Sequence, residues 1–127
     1  MPIPRRLISE ARRIKLKREI VDDIQIAPQE LKQKLDQSEQ VLVIDVREPW
    51  ETQLGVIAGA KLIPLNTLPD NLKLFADAEE VIIYCHHGMR SLNAAAWLRS
   101  QGVDGARSLT GGIERWSTEI DPKVPRY

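Results

Sequence analysis
The chain has one cysteine, Cys85, in the run Val81-Ile82-Ile83-Tyr84-Cys85-His86-His87-Gly88-Met89-Arg90-Ser91. The first part of that run reads as a buried strand, the middle as a short loop and the end as the start of a helix. A thiol at such a junction faces unpaired backbone N–H groups and the positive end of a helix dipole, and both favour the thiolate. Gly88 allows a positive φ, so the loop can curl and aim several N–H groups at one point. Arg90 adds a fixed positive charge close by. The chemistry expected of Cys85 is nucleophilic attack, with His86, His87, Gly88, Met89, Arg90 and Ser91 as an anion-binding loop. The competing reading is a buried structural cysteine, the commonest fate of a free thiol. His86 and His87 also carry two readings. Either one of them holds substrate or tunes the thiolate, or both are solvated loop residues. With two histidines and one cysteine in the chain, no metal site is expected, and no cofactor is implied.

Strands and helices alternate on either side of this loop. Val41 to Val46 is a near-continuous β-branched run, as in a strand covered on both faces. Pro28 opens a helix whose Leu31 and Leu35 share one side. Pro49 opens a short helix through Leu54. Lys61 to Pro64 is a short strand, Leu68 to Phe75 a helix, and Val81 to Cys85 the central strand. Ser91 to Gln101 is alanine-rich and closed by Gly102, so a helix is expected there. Ala106 to Leu109 is a last strand, and Ile113 to Trp116 a last helix after Gly111-Gly112. Such alternation predicts an α/β domain with a mainly parallel sheet. Ligands bind at the carboxyl ends of strands in such sheets, where both Cys85 and Asp45-Val46-Arg47 fall. Trp50, Trp97 and Trp116 read as core or edge-of-core residues.

At 127 residues the chain fits one domain. Zero net charge excludes a nucleic-acid footprint spread over the whole domain. No stretch has the length of a membrane span, and the N-terminus has no apolar signal core. One cysteine suits a reducing compartment, so a soluble cytoplasmic protein is expected. Residues 1–24 stand apart. Arg5, Arg6, Arg12, Arg13, Lys15, Lys17 and Arg18 are interleaved with Leu7, Ile8, Ala11, Ile14, Val21 and Ile24 at helix-like spacing. One reading is a basic amphipathic extension for a partner or a membrane surface. The other is an arm packed on its own domain or on a second copy, which would make a homodimer.

Over residues 25–127 the chain resembles the rhodanese family of sulfurtransferases. The matching pieces, in order, are Asp45-Val46-Arg47-Glu48-Pro49, Gly59-Ala60 with Ile63-Pro64, the Cys85–Ser91 loop, and Leu109-Thr110-Gly111-Gly112-Ile113 with Trp116. The resemblance implies a single rhodanese-like domain, a parallel sheet of about five strands with helices on both faces. It implies that Cys85 takes the outer sulfur of a small donor, thiosulfate or a persulfide, becoming a persulfide itself. A nucleophilic acceptor, a thiol or a sulfur-carrier protein, then removes that sulfur. It makes Asp45 and Arg47 supports that brace the loop. Many members carry Gly-His-Ile where this chain has Gly55-Val56-Ile57. The loop and the ending Trp116-Ser117 to Val124-Pro125-Arg126-Tyr127 are similar to the rhodanese domain fused behind activating enzymes of molybdopterin and thiamine biosynthesis.

Two other functions compete. One is an interaction module that docks a partner through residues 1–24 and uses Cys85 to carry or sense sulfur. The other is a cysteine phosphatase or arsenate reductase. Phosphatases need Cys-x5-Arg to encircle a phosphate. Here Arg90 follows Cys85 after four residues, and Ser91 holds the position that pattern requires.

Overall fold
Residues 81–85 alternate strictly in what they bury, and the fold is organised about them. Val81, Ile83 and Cys85 pack into one core, with Ile44, Val46, Ala94, Ala95 and Leu98. Ile82 and Tyr84 pack into a second, with Ile26, Leu31, Val43, Leu109, Ile113 and Trp116. Successive strand residues point to opposite faces, so both faces of this strand are covered. The computed structural model describes residues 9–12 and 23–127. The proposed docking extension and dimer arm over residues 1–24 therefore lie largely outside the described residues. Ile24, part of that segment's apolar series, is buried in the first core.

The elements are β1 (Gln25–Ile26), α1 (Pro28–Asp36), β2 (Leu42–Asp45), α2 (Pro49–Thr52), β3 (Lys61–Leu62), a 3-10 segment (Leu65–Phe75), β4 (Val81–Tyr84), α3 (Met89–Ser100), β5 (Ala106–Leu109) and α4 (Gly112–Glu119). The five strands form one sheet in the order β1-β5-β4-β2-β3. Every pairing is parallel. All carboxyl ends thus lie along one edge. From β2 the chain moves outward to β3, and from β4 it moves the other way to β5, so the topological switch point lies between β2 and β4. That is where open α/β sheets hold ligands. Asp45 and Cys85 stand on its two sides, since Asp45 pairs with Tyr84.

The elements depart from the expectations in several places, β1 among them, where no strand was expected. The helix expected over Leu68 to Phe75 begins earlier, at Leu65, and is wound as 3-10, with Pro69 inside it and Asn71 leaving helical geometry at φ −120°. β3 stops at Leu62, before Ile63 and Pro64. α3 starts at Met89, two residues before Ser91, because Gly88 with φ 106° turns the chain straight into the helix. Trp50 is 63% exposed, contrary to its expected place in the core or at its edge, because α2 is one turn long and buries Glu51 instead. Among the described residues no helix is long and apolar enough to cross a membrane.

α3 lies against β4 and β5 through small residues, Ala94 and Ala95, with Leu98 filling the space beyond them. Leu98 is fully buried. Leu98→Ala should lower unfolding stability by about 2–5 kcal/mol, read as a shift in the urea midpoint. A shift below about 1 kcal/mol would mean that α3 does not close this core.

Candidate active site
The sulfur of Cys85 occupies the place of a helix cap. α3 begins after Gly88, and Gly88 supplies no side chain to satisfy the first N–H groups. Cys85 Sγ accepts from Gly88 N–H at 3.1 Å and from Ser91 N–H at 3.4 Å. Ser91 Oγ lies 3.4 Å from the sulfur, where it accepts from the thiol. The thiol is thus seated at the head of a 12-residue helix, among donors, and is 1% exposed. Backbone amides and the helix dipole act together on any negative charge placed there.

The loop's carbonyls point the other way because α4 holds them. Ile113 N–H donates to Cys85 O at 2.9 Å, and Glu114 N–H donates to His86 O at 3.1 Å. The head of α4 thus satisfies its own unpaired amides on the loop backbone. This contact needs Gly112, whose φ is +60° and at which a Cβ would collide with both of those carbonyl oxygens. The Gly111-Gly112 pair is therefore part of the site, packed behind Cys85.

Asp45 and Arg47 form a buried ion pair, Arg47 Nη2 to Asp45 Oδ2 at 2.7 Å. The guanidinium is fully buried and uses every donor it has. Nε and Nη2 donate to Asp45, Nη2 also to Gly55 O at 2.7 Å, and Nη1 to Glu51 O at 3.3 Å and Tyr127 Oη at 3.0 Å. Tyr84 O–H donates to Asp45 at 2.9 Å. Among the described residues neither Asp45 nor Arg47 hydrogen-bonds to residues 86–91. Their link to the loop runs through Tyr127 and Glu51.

Glu51 is the centre of that link. Its carboxylate receives Arg90 through two bonds of 2.9 Å, Tyr127 O–H at 2.9 Å and Glu48 N–H at 2.8 Å. The Arg90 bonds, with the Glu48 and Tyr127 contacts behind them, hold the Glu51 carboxyl down at about 2 against the opposing effect of burial. Arg90 is therefore no free charge beside the thiolate, as its position in the sequence suggested. It fastens the first turn of α3 to α2. The sequence assigns no role to Glu51, and it offers Tyr127 only as the last residue of the ending singled out above by resemblance. The pattern Glu48-Pro49-Trp50-Glu51, a possible reciprocal cap, was the one local signal for Glu51, and Tyr127 had none.

The two histidines stack on each other, ring centres 3.8 Å apart, and His86 also stacks on Tyr127 at 3.8 Å and 9°. Burial, reinforced by His87, lowers the pKa of His86 and favours its neutral form. Its Nε2 is buried without a hydrogen-bond partner among the described residues, and Glu114 lies 3.8 Å away. His87 is exposed, and so is Met89, at 70%. The loop expected from the sequence is thus divided. Gly88 and Ser91 face the sulfur, Arg90 anchors, His86 packs, and His87 and Met89 face outward.

Comparison with known proteins fits this geometry. The family profile described as "Rhodanese-like domain" matches residues 27–119. The chain is 36% identical over 100 residues to a "Sulfurtransferase" of Allochromatium vinosum, covering 79% of this chain and 94% of that protein. It is 34% identical over 104 residues to the "Probable adenylyltransferase/sulfurtransferase MoeZ" of Mycobacterium tuberculosis, covering 80% of this chain. It spans 26% of the length of that protein, and 38% of the "Rhodanese-like/PpiC domain-containing protein 12, chloroplastic" of Arabidopsis thaliana, to which it is 35% identical. Among solved structures, a rhodanese-like domain protein from Staphylococcus aureus superposes with a TM-score of 0.65 at 39% identity, covering 76% of this chain and 93% of that one.

The Glu51 contacts lead to a pH signature. The folded-state carboxyl titrates near 2, below the ordinary 4.5, so the unfolded chain binds more protons between those values. The stabilisation is present above about pH 4.5 and is lost as pH falls toward 2. Glu51→Gln should lower stability at pH 7 by about 3 kcal/mol. The gap from wild type should shrink as pH falls through that window, measured by urea titration at several pH values. A gap that stays constant with pH would mean that the carboxylate's charge does not hold Arg90.

Proposed function
This chain belongs to the rhodanese-like family, and from that membership we propose that it transfers a sulfane sulfur through a persulfide on Cys85. The observation that carries the reading is the seating of Sγ at the end of β4, with Gly88 and Ser91 N–H groups directed at it. In the first half-reaction the Cys85 thiolate attacks the outer sulfur of a donor such as thiosulfate or a persulfide. The new bond joins Sγ to that sulfur. The donor's own S–S bond breaks, and sulfite or a thiolate leaves with the electron pair. The persulfide's outer sulfur sits roughly 2 Å beyond Sγ and is anionic. It is stabilised by the same backbone donors. An acceptor thiolate, free or presented by a carrier protein, then attacks that outer sulfur and returns Cys85 as thiolate. Protein and sulfur oxidation states balance over the two steps, which gives ping-pong kinetics. This chain holds no second cysteine to take the sulfur as an internal disulfide, so the acceptor is external.

Hydrolysis of phosphate esters is disfavoured by the placement of Arg90. A phosphatase loop needs its guanidinium turned toward the bound phosphate, whereas both Nη atoms here bind Glu51.

Intact-protein mass after incubation with thiosulfate tests the reading. The wild type should gain one sulfur atom, removable by cyanide or a thiol, and Cys85→Ser should gain none. Equal gain by both would remove Cys85 from the reaction. No gain by the wild type with either thiosulfate or a small persulfide would overturn the transfer reading.

A further inference from the structure
Behind the nucleophile lies a second hydroxyl that the mechanism above does not use. Ser108 is in β5, the strand next to β4, and its side chain is fully buried. Its Oγ is 2.7 Å from Ser91 Oγ, and Ser91 is fully buried as well. Ser91 Oγ in turn lies 3.4 Å from Cys85 Sγ and 3.2 Å from Gly88 O.

Proton counting gives this pair a direction. Each hydroxyl has one hydrogen. Among the described residues, Ser108 Oγ has Ser91 Oγ as its hydrogen-bond partner. If Ser91 were the donor in that contact, the Ser108 hydrogen would be buried with no acceptor, which is costly. The bond therefore runs from Ser108 O–H to Ser91 Oγ. Ser91 must then turn its own hydrogen toward Gly88 O or toward the sulfur.

We propose that Ser108 is a positioning residue that directs the Ser91 hydroxyl onto the Cys85 sulfur and so favours its anionic form. While the thiol is protonated, S–H donates to Ser91 Oγ and Ser91 O–H donates to Gly88 O. Two donors, Ser108 and the thiol, then meet at one oxygen. When the thiol loses its proton to solvent, Ser91 O–H swings to Sγ. A single chain of donors results, from Ser108 to Ser91 to the sulfur anion. Each bond in such a chain strengthens the next. No electron transfer is involved, and one proton leaves to solvent. The inference rests on Cys85 reacting as an anion, as the transfer reading requires.

The charged groups around the loop stay in place when Ser108 is changed. They are Arg90 of α3, Glu51 of α2 bonded to it, and Glu114 of α4 beside His86. Arg107, the neighbour of Ser108 in β5, is bound to Glu30. The test is the pH dependence of Cys85 ionisation in wild type, Ser108→Ala and Ser108→Thr. It is read by thiolate ultraviolet absorbance with Cys85→Ser as blank, and by the rate of iodoacetamide alkylation. Ser108→Ala should raise the midpoint by roughly 0.3–1 pH unit, a two- to tenfold smaller thiolate fraction at low pH. Ser108→Thr keeps the hydroxyl and should restore the wild-type midpoint. An unmoved or lowered midpoint in Ser108→Ala, or an equal rise in both variants, would overturn the inference. The persulfide mass measurement runs beside it. A raised midpoint in a protein that accepts no sulfur would count against the transfer reading alone, and sulfur loading with an unmoved midpoint against the Ser108 inference alone.

Discussion
The carbonyl oxygens of Cys85 and His86 are both taken by amides at the head of α4, and that capture sets where the rest of the loop faces. A peptide unit has its N–H and C=O on opposite sides. Once two successive carbonyls are drawn toward α4, the N–H groups of His86 and His87 in the same peptide units face away from it; the chain then turns at Gly88, and the N–H groups of Gly88 and Ser91 meet at the sulfur. The capture depends on a close approach that admits no side chain at Gly112. One glycine further along the chain thus shapes the loop that carries Cys85. The parallel sheet makes this feasible, because it brings the ends of β4 and β5 side by side.

A second layer of polar contacts joins the loop to the far side of the switch point. It runs from Asp45 through Arg47 to Tyr127, then to Glu51 and Arg90. Buried ion pairs are weak contributors to net stability, because desolvation opposes the Coulomb attraction. Their effect here is geometric. Arg47 has its hydrogen-bonding capacity filled by acceptors from β2, α2, the loop after α2, and Tyr127, so these four pieces hold fixed relative positions. Glu51 then passes that constraint to the first turn of α3. A partly satisfied network would be worse than none, and the complete pairing of both groups is consistent with a rigid frame.

What was legible in the sequence is what local chemistry decides. β-branched runs marked β2 and β4, alanines and a terminal glycine marked α3, and the thiol at a strand-to-helix junction marked the candidate loop. The double glycine was visible as a motif, but its contact with residues 85 and 86 was not, because that depends on the pairing of β4 and β5. The partnership of Arg90 with Glu51 was hidden for the same reason, since the two are brought together by the fold and not by helical spacing. Ser108 reads in the sequence as one polar residue in a strand, and only the neighbouring Ser91 gives it a role. Trp50 was misplaced because aromatic residues are usually buried, whereas a one-turn helix has a single inward side and Glu51 occupies it. The segment after β3 was legible as a helix, but its 3-10 winding and the break at Asn71 were not.

The order of these parts along the chain has a consequence for synthesis. Cys85 leaves the ribosome before Gly112, Ile113 and Glu114, and before Tyr127. Until those later residues arrive and dock, the carbonyls at 85 and 86 have no amides to draw them back. The helix after Gly88 likewise has no frame to hold it in line with the sulfur. A nascent chain therefore presents Cys85 without its amide cradle, which is assembled only when the last strand and helix close against the sheet.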